Sequence, residues 1–181
     1  MGEQTRLFVA LSLPQEVREA LAGWAAGVAP TGLRLVAQED LHVTVAFLGS
    51  RPQADAEVVA ALLPLLAVEP GTLSTAGALW LGPKRPGVLT VALAVTAQLT
   101  ALHTLVGQVL AAAVGYEPDQ RRFQPHVTVG RVGCGERIAD AATSEAPPAL
   151  TFDADALTLY RSSERSDGPR YEPIVFRPFG G

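Results

Sequence analysis

Apolar and polar residues alternate with period two in two separated stretches, and both stretches carry the same tetrapeptide. Leu41 to Gly49 reads LHVTVAFLG, and Pro125 to Arg131 reads PHVTVGR. Such alternation predicts a half-buried strand, with His42 and Thr44 on one face and Val43 and Val45 on the other. The second copy sets His126 and Thr128 against Val127 and Val129. The next position on each polar face is small, Ala46 and Gly130, which predicts room for a ligand. Phe47 and Arg131 each lie five residues beyond their histidine, where strict alternation aims them away. They reach the polar face only through a bulge or a strand end.

The rest of the chain is punctuated around these two strands. Arg6–Leu13 is rich in strand formers, and Pro14 ends it and opens a helix with Glu16 in its first turn. Val17, Leu21, Trp24 and Val28 form a helical stripe closed by Pro30 and Gly32. Leu33–Ala37 predicts a strand and Gln38–Asp40 a polar corner, and Pro52 starts a helix reaching about Leu66. Thr72–Leu81 and Val88–Val95 flank a Gly- and Pro-rich loop and predict a hairpin. From Ala97 the helical spacing returns through Leu99, Leu102, Val106, Val109 and Ala113, with Gly115 as its stop. An alanine-rich helix around Ile138–Ser144 comes next. Strands near Leu150–Arg161 and Arg170–Phe176 enclose a polar loop, Ser162–Pro169. Helices before and after each histidine strand suggest a weak internal duplication. The expectation is a single α+β domain over residues 1–181, with two pseudo-equivalent lobes of mainly antiparallel strands, outer helices and a cleft between the lobes.

Composition narrows the function. With 181 residues, 48% of them hydrophobic, a core can form; a net charge of −4 and a pI near 5.3 exclude a broad basic surface for tracking duplexes. Any nucleic-acid contact is therefore local. Cys134 stands alone, so no internal disulfide forms, and it reads as a bystander in a reducing compartment. The best apolar run, Val58–Val68, is short and interrupted by Pro64, so no membrane span is expected. The opening MGEQTR has no basic region of the secretory kind, and Arg6 stands where myristoylation wants Ser or Thr.

Two of the three histidines head the repeated tetrapeptide. Paired imidazoles with neighbouring hydroxyls suit hydrolysis or transesterification of a phosphodiester. One imidazole takes a proton from the nucleophile and the other gives one to the departing alkoxide. Threonine hydroxyls donate to phosphate oxygens as charge develops there. No Cys cluster or H-x-x-x-H spacing points to zinc. His103, in LTALHTLVG, has Leu105 where the motif wants threonine, and it reads as a structural helix histidine. Lys84, Arg85, Arg121, Arg122 and Arg165 read as solvated surface charge.

With these residues in view, the chain resembles the 2H phosphoesterases, named for two His-x-Thr-x motifs, and within them the RNA 2′,3′-cyclic phosphodiesterases, or 2′-5′ RNA ligase-like proteins. The resemblance runs through RLFVALSLP, EDLHVTVAFLG, LWLGPKRPGVL, FQPHVTVGR and LYRSSERSDGPRYEPI. It implies a bilobed α+β fold and metal-free, cofactor-free opening of a terminal 2′,3′-cyclic phosphate to a 2′-phosphate. It further implies that His42 protonates the leaving 3′ oxygen, His126 activates water, and Thr44 and Thr128 hold the phosphate. Arg131 would serve the phosphate and Phe47 would pack on a base. The implied substrates are RNA 3′ ends or small cyclic nucleotides, acted on by a cytoplasmic, monomeric protein without membrane attachment. A 2′-5′ RNA ligase running the same chemistry backwards, and a non-catalytic RNA-end binding module, are the alternatives.

Overall fold

The computed structural model describes residues 4–82, 87–119, 121–133, 135, 136, 138, 145–165 and 168–180. The strands are β1 (Gln4–Ser12), β2 (Leu33–Leu35), β3 (His42–Pro52), β4 (Leu73–Leu81) and β5 (Val88–Leu93). They continue with β6 (His126–Val132), β7 (Thr151–Phe152), β8 (Ala156–Arg165) and β9 (Gly168–Pro178), and the helices are α1 (Gln15–Val28), α2 (Gln53–Leu62) and α3 (Ala97–Val114). Pro14 and Pro52 sit at the N-caps of α1 and α2, as their fixed φ and missing N–H favour. Thr96 caps α3 by accepting from the Leu99 N–H, and Gly115 ends it in the left-handed conformation at φ 61°.

The described strands form a sheet in the order β7-β4-β5-β6-β3-β1-β8-β9, with β2 also pairing β6, and every registered pairing is antiparallel. The sheet divides into two lobes at its centre, where β3 and β6 meet through one registered pair, Val43 opposite Val127. One lobe holds β3, β1, β8 and β9, and the other holds β6, β5, β4, β7 and β2. The lobes are not halves of the chain, because the C-terminal strands pair back onto β1 while β2 crosses to β6. Helices cross as well: α1 packs on β6 and β2, whereas α2 and α3 lie against β3. A continuous buried cluster runs through both lobes, from Leu7, Val9 and Leu11 to Leu89, Val91 and Val127. Burying such side chains contributes about 1.5–3 kcal/mol each, so neither lobe has an independent interior.

Several expectations shift. Helix α2 ends at Leu62, and Pro64 lies in a short 3₁₀ turn, Leu63–Leu65. The buried stripe of α3 is Leu99, Leu102, Val106, Gly107 and Leu110, so Val109 and Ala113 sit only at its margin. Among the described residues α3 is also long and apolar enough to cross a membrane on length and composition, with 18 residues and mean hydropathy 1.4. The sequence pattern singles out only Val58–Val68. Residues 153–155 break the stretch expected as one strand into β7 and β8. Within the expected polar loop Ser162–Pro169, the described residues 162–165 and 168–169 instead extend the pairing of β8 with β9, with Ser162 opposite Tyr171 and Arg165 opposite Gly168. An edge hairpin needs no buried face there, so no apolar periodicity announces it. The helix expected at Ile138–Ser144 lies almost wholly outside the described residues, as do Cys134, Lys84 and Arg85.

Candidate active site

The two motif strands meet where the cleft is. With Val43 opposite Val127 in an antiparallel pair, the register sets His42 beside Thr128 and Thr44 beside His126. Each histidine thus lies next to the other motif's threonine, and all four are on the face away from the helices. The valines point into the core, where Val43 and Val127 are fully buried and Val45 and Val129 nearly so. The four polar side chains are half-buried, open to a ligand on one side.

Both strands are bulged at the residue after the threonine, and the bulges decide where the side chains beyond it point. On β3, Ala10 of β1 pairs Thr44 and Val9 pairs Ala46, so Val45 is the extra residue. On β6, Thr90 of β5 pairs Thr128 and Leu89 pairs Gly130, so Val129 is the extra residue. Each bulge puts two successive residues on the core side and reverses the alternation beyond it. Ala46 is therefore buried at 4% exposure opposite Val9, and Gly130 is packed under Leu33. A Cβ at Gly130 would lie 2.8 Å from Leu33 Cδ2. The expectation that Ala46 and Gly130 leave room for a ligand is thus corrected: their small size serves core packing. The same bulges bring the next residues round. Phe47 pairs Phe8 and Arg131 pairs Val88, which places Phe47 on the face of Thr44 and Arg131 on the face of Thr128.

The histidine rings are held alike. His42 Nδ1 lies 2.6 Å from the Asp40 carbonyl, and His126 Nδ1 lies 2.7 Å from the Gln124 carbonyl. A carbonyl only accepts, so each Nδ1 carries the hydrogen and each Nε2 is left to exchange protons with a substrate. Their surroundings differ. His42 sits among aromatic rings: Phe8 at 4.9 Å, Tyr171 edge-on at 5.2 Å and Tyr160 at 6.0 Å between centroids. Burial there pushes its pKa down to about 4; the Asp40 carbonyl opposes this, while the charges of Arg131 and His126 add to it. That Arg131 acts on His42 through space agrees with its placement by the bulge. Asp40 itself has its carboxyl raised by burial and by Glu39, against the pull of Arg170.

The aromatic setting of His42 has no short-range signal in the sequence. Phe8, Tyr160 and Tyr171 come from three strands, and only the β1–β8–β9 pairing gathers them. Ser12, opposite His42, bonds the Thr158 hydroxyl at 2.8 Å and the Tyr160 hydroxyl at 3.2 Å. Further along the same two strands, β1 and β3, Arg6 lies over the Phe47 ring at 5.2 Å. His103 is not part of the site: it stacks on Phe123 at 3.9 Å in the helix layer, and burial lowers its pKa. Arg121 is exposed and paired to Asp119, and Arg122 is exposed. Among the described residues no three or more His, Cys, Asp or Glu side chains gather as metal ligands.

Residues 13–166 match the 2′-5′ RNA ligase superfamily. The chain is 33% identical to an RNA 2′,3′-cyclic phosphodiesterase of Escherichia coli, with 96% of each chain covered. It is 27% identical to one from Methanocaldococcus jannaschii, covering 93% of this chain and 98% of that one. Among solved structures, E. coli LigT complexed with 3′-AMP superposes with a TM-score of 0.81 at 28% identity, over 99% of this chain and 100% of that one. The same protein complexed with ATP gives a TM-score of 0.76 at 28% identity, again over 99% and 100%.

Proposed function

Because the chain belongs to the 2′-5′ RNA ligase superfamily, we propose that it is an RNA 2′,3′-cyclic phosphodiesterase, opening the cyclic phosphate at an RNA 3′ end to a 2′-phosphate. The observation that carries this is the reciprocal placement of the motifs, each histidine beside the other motif's threonine with its Nε2 free. A cyclic phosphate seated between them meets an imidazole on either side of phosphorus and a hydroxyl donor near each. His126 takes a proton from water as the oxygen attacks phosphorus. The bond from phosphorus to the 3′ oxygen breaks, and His42 returns a proton to that oxygen. Thr44, Thr128 and Arg131 hold the non-bridging oxygens as charge gathers on them. Phe47, half-exposed on the same face, offers its ring to a base. No divalent ion is assigned a step, since the imidazoles handle both protons and the hydroxyls and guanidinium meet the charge.

One observation favours a second assignment of roles. A His42 with pKa near 4 is neutral in the free enzyme and is there a base rather than an acid. For His42 to act as donor its proton must come with the substrate, whose negative charge offsets Arg131 and stabilises an imidazolium beside it. The same site would also bring a 2′,3′-cyclic end and a 5′ hydroxyl together, so hydrolysis and ligation are separated by products. The test is end-group analysis on an oligonucleotide ending in a 2′,3′-cyclic phosphate, in the presence of chelator. A 2′-phosphate product formed at the full rate is expected. A 3′-phosphate, a joined strand, or activity that appears only with added zinc or manganese would overturn the proposal.

A further inference from the structure

Strand β2 enters the second lobe for three residues, and its central residue, Arg34, stands directly opposite Arg131 of β6. Paired residues project to the same side of a sheet, so Arg34 shares the face that carries Arg131 and Thr128. Its neighbours Leu33 and Leu35 pair with Val132 and Gly130 on the other side. Directly opposed guanidiniums have Cβ atoms about 4.5–5.5 Å apart, and like charges so placed are destabilising. Both arginines are exposed, and among the described residues neither has an ion pair. Glu136, on the neighbouring turn, packs against Gly32 and Gly133 close to Arg34, with no ion pair between the two. The Arg34 Nε reaches past Gly133, where a Cβ would lie 3.5 Å from it. It therefore leans along β6 past Arg131, away from the Val43–Val127 pair.

Two opposed arginines without ion pairs, one at the reacting phosphate and one a step further along β6, fit a chain with phosphates at successive positions. We infer that Arg34 forms a second phosphate subsite, holding the phosphodiester immediately upstream of the cyclic end. This rests on the cyclic phosphodiesterase proposal and adds a group that a cyclic mononucleotide lacks. A charge-assisted bond to phosphate contributes roughly 1.5 kcal/mol or more, a factor of about ten.

The experiment compares kcat/KM on 2′,3′-cyclic AMP, on a diadenylate ending in a 2′,3′-cyclic phosphate, and on that diadenylate with an uncharged methylphosphonate linkage. Wild type should prefer the charged diadenylate to the methylphosphonate by about tenfold, and Arg34→Gln should bring that ratio near one. An unchanged ratio in Arg34→Gln overturns the subsite, whether its overall rates fall or hold. A wild type that cleaves none of the three sinks the hydrolase proposal instead. Arg34 is then judged by Kd for the two diadenylates, and equal values in wild type would overturn the subsite as well.

Discussion

Val43 and Val127 face each other across the one registered pair between β3 and β6, and this pair sets the four motif side chains in reciprocal order. The pair is fully buried. The register is strongly specified, because a one-residue slip would drive valines into the cleft and histidines into the core.

Removal of either hydroxyl should weaken the transition state without loosening the fold. Thr44→Val and Thr128→Val keep shape at half-buried positions and delete one donor each. Each should lower kcat/KM about 10- to 1,000-fold, with kcat carrying most of the loss. Steady-state kinetics with a parallel melting curve checks this. A pure rise in KM would mean that the hydroxyl binds ground state and transition state equally.

The division of labour between the histidines is read from leaving-group dependence. His42→Ala should cost about 10²- to 10⁴-fold on a cyclic RNA end, and much less on a nitrophenyl phosphodiester whose leaving group departs unprotonated. His126→Ala should stay impaired on both, since water still has to be activated. Rescue of His126→Ala in place of His42→Ala would assign His42 the role of base, in line with its depressed pKa in the free enzyme.

The depressed pKa of His42 also sets two pH dependences. In kcat/KM the acid limb should fall near pH 4 rather than near 6.5, because the free enzyme gains its second proton only there. In stability, the unfolded chain binds the His42 proton below about pH 6.5 and the folded one only below about 4. Stability due to this group is complete above 6.5 and declines as pH falls through that window, by about 3 kcal/mol. Asp40, with its carboxyl raised, contributes in the opposite sense. Chemical denaturation of wild type and His42→Gln at pH 4.5 and 7 checks this. The difference between the two pH values should shrink in the variant.

Gly130→Ala distinguishes a packing role from space left for a ligand. The added methyl meets Leu33 Cδ2 and Cγ at 2.8 and 2.9 Å, so it should destabilise by about 1–3 kcal/mol. Leu33→Ala should relieve that clash, so the double variant should be more stable than the sum of the single losses predicts. Strictly additive losses, or a variant that folds normally and fails only to bind nucleotide, would return Gly130 to the cleft wall.

Arg131→Ala should reduce kcat/KM by about tenfold or more, because it removes charge-assisted bonds to the phosphate. Since Arg131 also depresses His42, the acid limb of the pH profile should move upward in the same variant. Retention of the wild-type profile with reduced activity would place Arg131 out of electrostatic reach of His42.

The period-two pattern by itself determined that His42, Thr44, His126 and Thr128 share polar faces, because within a strand the side-chain direction is a local property of the backbone. Proline and glycine punctuation placed the helices for the same reason: Pro14, Pro52 and Gly115 act through their own φ. What alternation could not decide was the path beyond each threonine. A bulge is set by how many residues the neighbouring strand offers, so the core positions of Ala46 and Gly130, and the site positions of Phe47 and Arg131, depend on β1 and β5. The aromatic surroundings of His42 likewise required β8 and β9 to return beside β1 from the far end of the chain. So did the meeting of Arg34 with Arg131, since β2 pairs with a strand nearly a hundred residues later. Such contacts arise from pairing between distant segments, and the register that creates them is fixed only when both strands bury their apolar faces in a common core.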